Sequence, residues 1–148
     1  MAKKLNVFDL ITQLTESLPL DPAKVAEILG VKLERDTGAD TPVLISYAQA
    51  PGVKDSPYKA VNLSLPHPLF GSGAGFLGVI LKSDGGIDSK AIAEQYGYKY
   101  QRDVPSPRYP PETPCYYMYE QPWGTLSFGV TNDAAAKLLR FGLKPKKL

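Results

Sequence analysis

Phe76-Leu77-Gly78-Val79-Ile80-Leu81 runs into Asp84-Gly85-Gly86 and then into Ile87-Asp88-Ser89, and the fold class turns on this passage. The nearly unbroken apolar run predicts a central strand buried on both faces. Asp-Gly-Gly ends it in a turn. Asp88 is then the N-cap of a helix reaching Tyr96, with Ile87 and Ile92 spaced for a hydrophobic staple and Gly97 at its end. Strand, turn and helix in immediate succession make the chain α+β.

Towards the N-terminus, Tyr58–Leu65 and Val43–Gln49 alternate at period two, and Val31–Arg35 is a shorter strand of the same kind. Ahead of them lies a helical hairpin over residues 6–30. Leu5, Val7, Leu10, Ile11, Leu14 and Leu18 recur at helical spacing behind an Asn6 cap, and Pro19 stops that helix. Asp21 caps the second helix, Pro22 takes its first position and Gly30 closes it.

Towards the C-terminus, Tyr98–Val104 reads as a strand. Pro105, Pro107, Pro110, Pro111 and Pro114 keep the next stretch out of any sheet, in polyproline form over the surface. Cys115–Gln121 and Gly124–Val130 form a hairpin around Pro122-Trp123. Leu139, Phe141 and Leu143 favour a final strand over a helix in Ala134–Arg140. No internal repeat is read. The expectation is one domain over residues 1–148, with the helical hairpin at 6–30 and the sheet region at 31–148. The sheet is antiparallel or mixed with about six strands, and one further helix packs on it.

Composition narrows the functions. Seventeen basic residues face 15 acidic ones, a net charge of +2, too balanced for a protein that neutralises phosphates, so no nucleic-acid partner is expected. The only cysteine is Cys115 and the only histidine is His67. That rules out an intramolecular disulfide and a cysteine-based zinc site, and no metal or cofactor is expected. No apolar run approaches the roughly 20 residues of a membrane span. Met1 to Leu10 lacks an apolar signal core. The expected compartment is therefore the cytoplasm, or the periplasm for a mature chain already freed of its signal.

Candidate catalytic motifs fail on context. Gly73, Gly75 and Gly78 match the letters of a dinucleotide loop but enter a strand, whereas that mechanism needs a helix N-terminus at the phosphates. Cys115 and His67 carry no local sign of activation. Ser127 lies inside a strand instead of on a strand-to-helix elbow. Residues 21–31 have the flavour of a DNA-binding helix, but a strand follows where the recognition helix should stand. The chain is not expected to be an enzyme.

The most informative cluster is aromatic. Tyr96, Tyr98, Tyr100, Tyr109, Tyr116, Tyr117, Tyr119 and Trp123 fall close together, joined by Arg102 and Arg108. Tyr117 and Tyr119 point to one side of their strand, and Tyr116 and Met118 to the other. Protein interfaces favour such residues. The candidate binding face is Arg108 and Tyr109 on the proline loop with Tyr117, Tyr119 and Trp123 on the hairpin. The other readings are half-buried sheet tyrosines, or a pocket for a small molecule or for catalysis.

From Ile87-Asp88 through Tyr96-Gly97, the proline loop, Tyr116-Tyr117-Met118-Tyr119, Gly124–Gly129 and Lys137–Phe141, the order of signals resembles a bacterial pattern. It is similar to the helix-plus-antiparallel-sheet units of the beta-lactamase inhibitor protein, of small outer-membrane assembly lipoproteins and of several toxin-immunity proteins. The likeness covers residues 87–144. The chain lacks the lipidated cysteine of the lipoproteins and the cysteine pairs of the inhibitor. The resemblance implies a role in binding and masking another protein, such as a toxin or an enzyme.

Overall fold

The computed structural model describes residues 6–50, 56–69, 73–110 and 112–146; Leu5, Pro111 and the terminal Lys3, Lys4 and Lys147 lie outside them. The helices are α1 (Val7–Glu16), α2 (Pro22–Leu29) and α3 (Ser89–Tyr96). The strands are β1 (Leu33–Arg35), β2 (Leu44–Gln49), β3 (Tyr58–Pro66), β4 (Phe76–Leu81), β5 (Gln101–Asp103), β6 (Cys115–Gln121), β7 (Gly124–Val130) and β8 (Leu138–Pro145). All eight form one antiparallel sheet in the order β1-β2-β3-β4-β8-β7-β6-β5. The fold is thus α+β, with eight strands where about six were expected, because the short edge strands β1 and β5 pair as well.

Local chemistry sets the helix ends. The Asn6, Asp21 and Asp88 side chains accept from the backbone N–H groups of Asp9, Lys24 and Ala91, satisfying donors that a first turn leaves open. Gly30 and Gly97 close α2 and α3 with positive φ.

Burial alternates along the strands, so the helices cover one face only. Leu63 on β3, Leu77 and Val79 on β4, Phe141 and Leu143 on β8, and Leu126 and Phe128 on β7 are buried against the helices. Phe76–Leu81 is central as expected, but it is buried on this one face: Phe76, at its start, is 42% exposed. Val7, Leu10, Ile11 and Leu14 of α1, Val25 and Leu29 of α2, and Ile92 of α3 complete the core.

The strand order also corrects the expectation that the chain has no internal repeat. Each half runs helix, short edge strand, then three longer strands, and the halves join through their last strands, β4 and β8. Residues 21–36 and 88–103 share Asp21/Asp88, Ala26/Ala93, Glu27/Glu94, Gly30/Gly97, Lys32/Lys99, Arg35/Arg102 and Asp36/Asp103. The register obeys the same relation. Gly78 pairs with Gly142, and the flanking rungs Leu77↔Leu143 and Val79↔Phe141 exchange under a two-fold axis through that pair. Outward from it, Tyr47↔Leu63 corresponds to Tyr117↔Phe128, and Arg35↔Tyr47 to Arg102↔Tyr117. In both halves the arginine lies over the ring of its cross-strand tyrosine, 5.6 Å and 5.7 Å from the centroid. The repeat pairs residues 21–81 with 88–145 and leaves α1 in front, so its first unit begins inside the helical hairpin at α2.

Candidate functional site: an apolar recess at one end of the sheet

Prolines lack a donor N–H and so collect where strands end. Pro66 ends β3, Pro122 turns β6 into β7 and Pro145 ends β8. The sheet order brings these three strand ends to the same edge of the molecule, and the α1–α2 link, Leu18-Pro19-Leu20, crosses above them. Together with Leu65, Ala74 and Trp123 they wall a recess of about 450 Å³. The Lys146 N–H donates to the Trp123 carbonyl (2.7 Å), tying the end of β8 to the hairpin turn.

The walls are aliphatic, prolyl and indole. Among the described residues, polar side chains come only from Thr15, whose hydroxyl already donates to the Thr12 carbonyl (2.9 Å), and from Lys146 at the rim. No nucleophile among the described residues stands beside a base there. The volume lies within the roughly 300–1,000 Å³ of ordinary ligand sites, so the recess can receive an apolar group, with one ammonium at its edge. Prolines hold their backbone already ordered, which lowers the entropy lost when something docks.

The five residues singled out from sequence do not form one face. Trp123 walls the recess. Tyr117 and Tyr119 are 8% and 2% exposed and belong to the core, because their side of β6 is the side the helices cover. The Tyr119 hydroxyl donates to the Gly97 carbonyl at the end of α3 (3.0 Å). Its ring meets Tyr96 at 5.7 Å and Phe128 at 6.0 Å. Burial pushes the hydroxyls of Tyr58, Tyr96 and Tyr119 up to about 12. Tyr58 and Tyr119 are thus buried structural groups, and Tyr96 is half-buried beside them.

Arg108 and Tyr109 are exposed on the proline loop, Tyr109 by 61%. A turn closed by Tyr109 N–H to the Ser106 carbonyl (2.9 Å) presents them. That loop enters β6 at Cys115, whereas Trp123 follows its other end at Gln121, roughly 20 Å away along an extended strand. Tyr109 borders its own shallow cleft of about 280 Å³ with Val104, Pro105 and Tyr116.

Sequence reasoning missed Leu18, Pro19, Leu20, Pro66 and Pro145 as wall residues. The available signal was a proline at several strand ends; which ends meet depends on strand order. Cys115 is buried, and its thiol donates to the Asn132 side-chain oxygen (3.0 Å). Asp40 and Asp133 are held below the usual carboxylate range, chiefly by the Ser46 N–H and the Thr131 hydroxyl respectively. Both are loop anchors. Among the described residues no group of His, Cys, Asp and Glu is placed to hold a metal ion, and no helix is long and apolar enough to cross a membrane. No family model matches the chain, and no curated protein and no solved structure matches it either.

Proposed function

We propose that this chain is a non-catalytic protein-binding module, of the kind that neutralises a toxin or an enzyme by masking it, and that it seats an apolar side chain of its partner in the Trp123 recess. The observation that carries this reading is the recess itself: rigid prolyl walls, an indole and, among the described residues, no convergent polar groups. Hot spots in protein interfaces are of this type, an apolar anchor in a desolvated pocket. Burying one Leu-sized side chain there contributes about 1.5–3 kcal/mol. The resemblance of residues 87–144 to inhibitor and immunity proteins points the same way. The second reading is a small apolar ligand in the same recess, favoured by its volume of about 450 Å³.

Trp123 is the only tryptophan, so its fluorescence reports the recess directly. Trp123→Ala and Leu18→Asp are expected to keep the fold. Each should weaken a purified protein partner by about 30-fold or more, the equivalent of about 2 kcal/mol. Strong destabilisation without a specific loss of affinity would make the recess wall plain structure. Saturable quenching of Trp123 by a medium-chain fatty acid, with no protein partner competing, would favour the second reading.

A further inference from the structure

On the helix-free face the two-fold axis passes between Gly78 and Gly142, and the positions it relates on either side are Phe76 and Arg140. The duplication therefore provides two matching seats and fills them differently. Missing side chains let both residues lie flat on the sheet. A Cβ at Gly78 would be 3.1 Å from the Phe76 ring, and one at Gly142 would be 3.3 Å from it. A Cβ at Gly129 would be 2.7 Å from Arg140 Cγ and 3.2 Å from the Tyr116 ring. With Asn62 and Ser127 these groups enclose a recess of about 160 Å³.

Arg140 is half-buried there. Among the described residues it joins no ion pair, and its Nε is shut off from solvent with no hydrogen-bond acceptor. A desolvated donor on a charged group without an acceptor calls for an occupant. None is at hand. The outward positions of β3, β4, β8 and β7 in register here are Asn62, Ser64, Phe76, Ile80, Lys144, Thr125 and Ser127, without a carboxylate. On the neighbouring β6, Glu120 already accepts from the Thr125 hydroxyl (3.1 Å).

We infer that this recess takes an Asp or Glu side chain of a protein partner, with the carboxylate on the Arg140 guanidinium and an adjacent apolar residue on the exposed Phe76 ring. Guanidinium and carboxylate match in shape as well as in charge. A nucleic-acid phosphate fits less well, because the chain is nearly charge-balanced and an aromatic ring occupies the equivalent seat. The inference rests on the partner being a protein, as proposed above, and adds the chemistry the partner must carry.

The test is a nuclear magnetic resonance titration of the full chain, following the Arg140 Nε–H and the amides of Gly78, Gly129 and Gly142. Acetyl-Leu-Glu-amide is the probe, and acetyl-Leu-Gln-amide its neutral counterpart. Saturable shifts are expected with the Glu peptide, at least about tenfold weaker binding with the Gln peptide, and loss of the shifts in Arg140→Met. That variant keeps an aliphatic stem over Gly129 and so keeps the fold, which unchanged amide dispersion verifies. Equal shifts with both peptides, persistence in Arg140→Met, or an equal response to inorganic phosphate would each overturn the inference. If Arg140 stays silent while the Trp123 variants still lose their partner, only this inference falls. If both fail, the protein-binding reading falls with it.

Discussion

In the first half of the chain, residues 21–81, the end of the helix and the matching strand positions carry Leu29, Leu33, Tyr47, Gln49 and Leu63. In the second half, residues 88–145, the corresponding positions are Tyr96, Tyr100, Tyr117, Tyr119 and Phe128. One architecture is thus built twice: the second half carries a ring at all five positions, the first carries one ring, Tyr47, among three leucines and an amide. In the second half the rings pack edge to face and tilted, Tyr100 on Tyr117 at 4.8 Å and Tyr96 on Phe128 at 5.4 Å, geometries that add to simple burial. The tyrosine concentration is therefore mainly a packing solution. Both halves also solve the same polar problem. A tyrosine hydroxyl caps the carbonyl at the end of each helix: Tyr58 on Leu29 (2.9 Å) and Tyr119 on Gly97.

The largest effect that can test this comparison is alkaline unfolding. A folded pKa raised above the ordinary 10.0 means that the folded state holds its proton longer. The stability tied to Tyr58, Tyr96 and Tyr119 is then fully present below about pH 10 and is lost as pH rises through about 12. Tyrosinate absorbance should rise in two stages, the second coinciding with loss of circular dichroism. A single stage near pH 10 with the fold intact would mean the rings are not buried as described.

Next comes the core at equivalent positions. Phe128→Ala should cost about 3–5 kcal/mol and Leu63→Ala about 2–5 kcal/mol in chemical denaturation, with Phe128 the larger because its ring also meets Tyr96 and Tyr119. The reverse order would break the claim that the ring contacts add to simple burial in the second half.

The two helix-closing glycines sharpen the comparison further. Gly30 sits at φ 71, ψ 35, and Gly97 at φ 99, ψ −177. A Cβ would meet nothing at either position, so only backbone strain counts. The first conformation is left-handed helical, and Ala there should cost about 1–2 kcal/mol. The second is open essentially to glycine alone, so Gly97→Ala should cost more, on the order of 3 kcal/mol. Thermal midpoints of the two variants read the difference.

The smallest effect is at the caps. Asp21→Ala and Asp88→Ala should each cost about 1 kcal/mol, since each accepts one backbone N–H in the same way, at 3.0 Å and 2.9 Å. A large inequality between them would show that the two helices are not held alike.

Much of the local structure is legible in the sequence because its causes are local. Asn6, Asp21 and Asp88 cap their helices as read, and the hairpin turns at Pro122-Trp123. Even the duplication is written in residues 21–36 and 88–103. It is easily passed over because the loops between the first two strands differ: a short turn over Thr37–Ala39 in one half, the proline stretch in the other. The candidate site is less legible. Its walls come from the α1–α2 link, β3, the β6–β7 turn and β8, segments that meet only through the pairing of β4 with β8.

What the sequence by itself determined, then, is every feature set within a few residues: caps, turns, strand periodicity and the parity that puts Tyr117 and Tyr119 opposite Tyr116 and Met118. What only the tertiary structure decided is which parity faces the helices and which strand ends share a recess. A period of two distinguishes the two sides of a strand without saying which side is covered. That depends on where the helices land, and landing them requires pairing strands far apart in the chain.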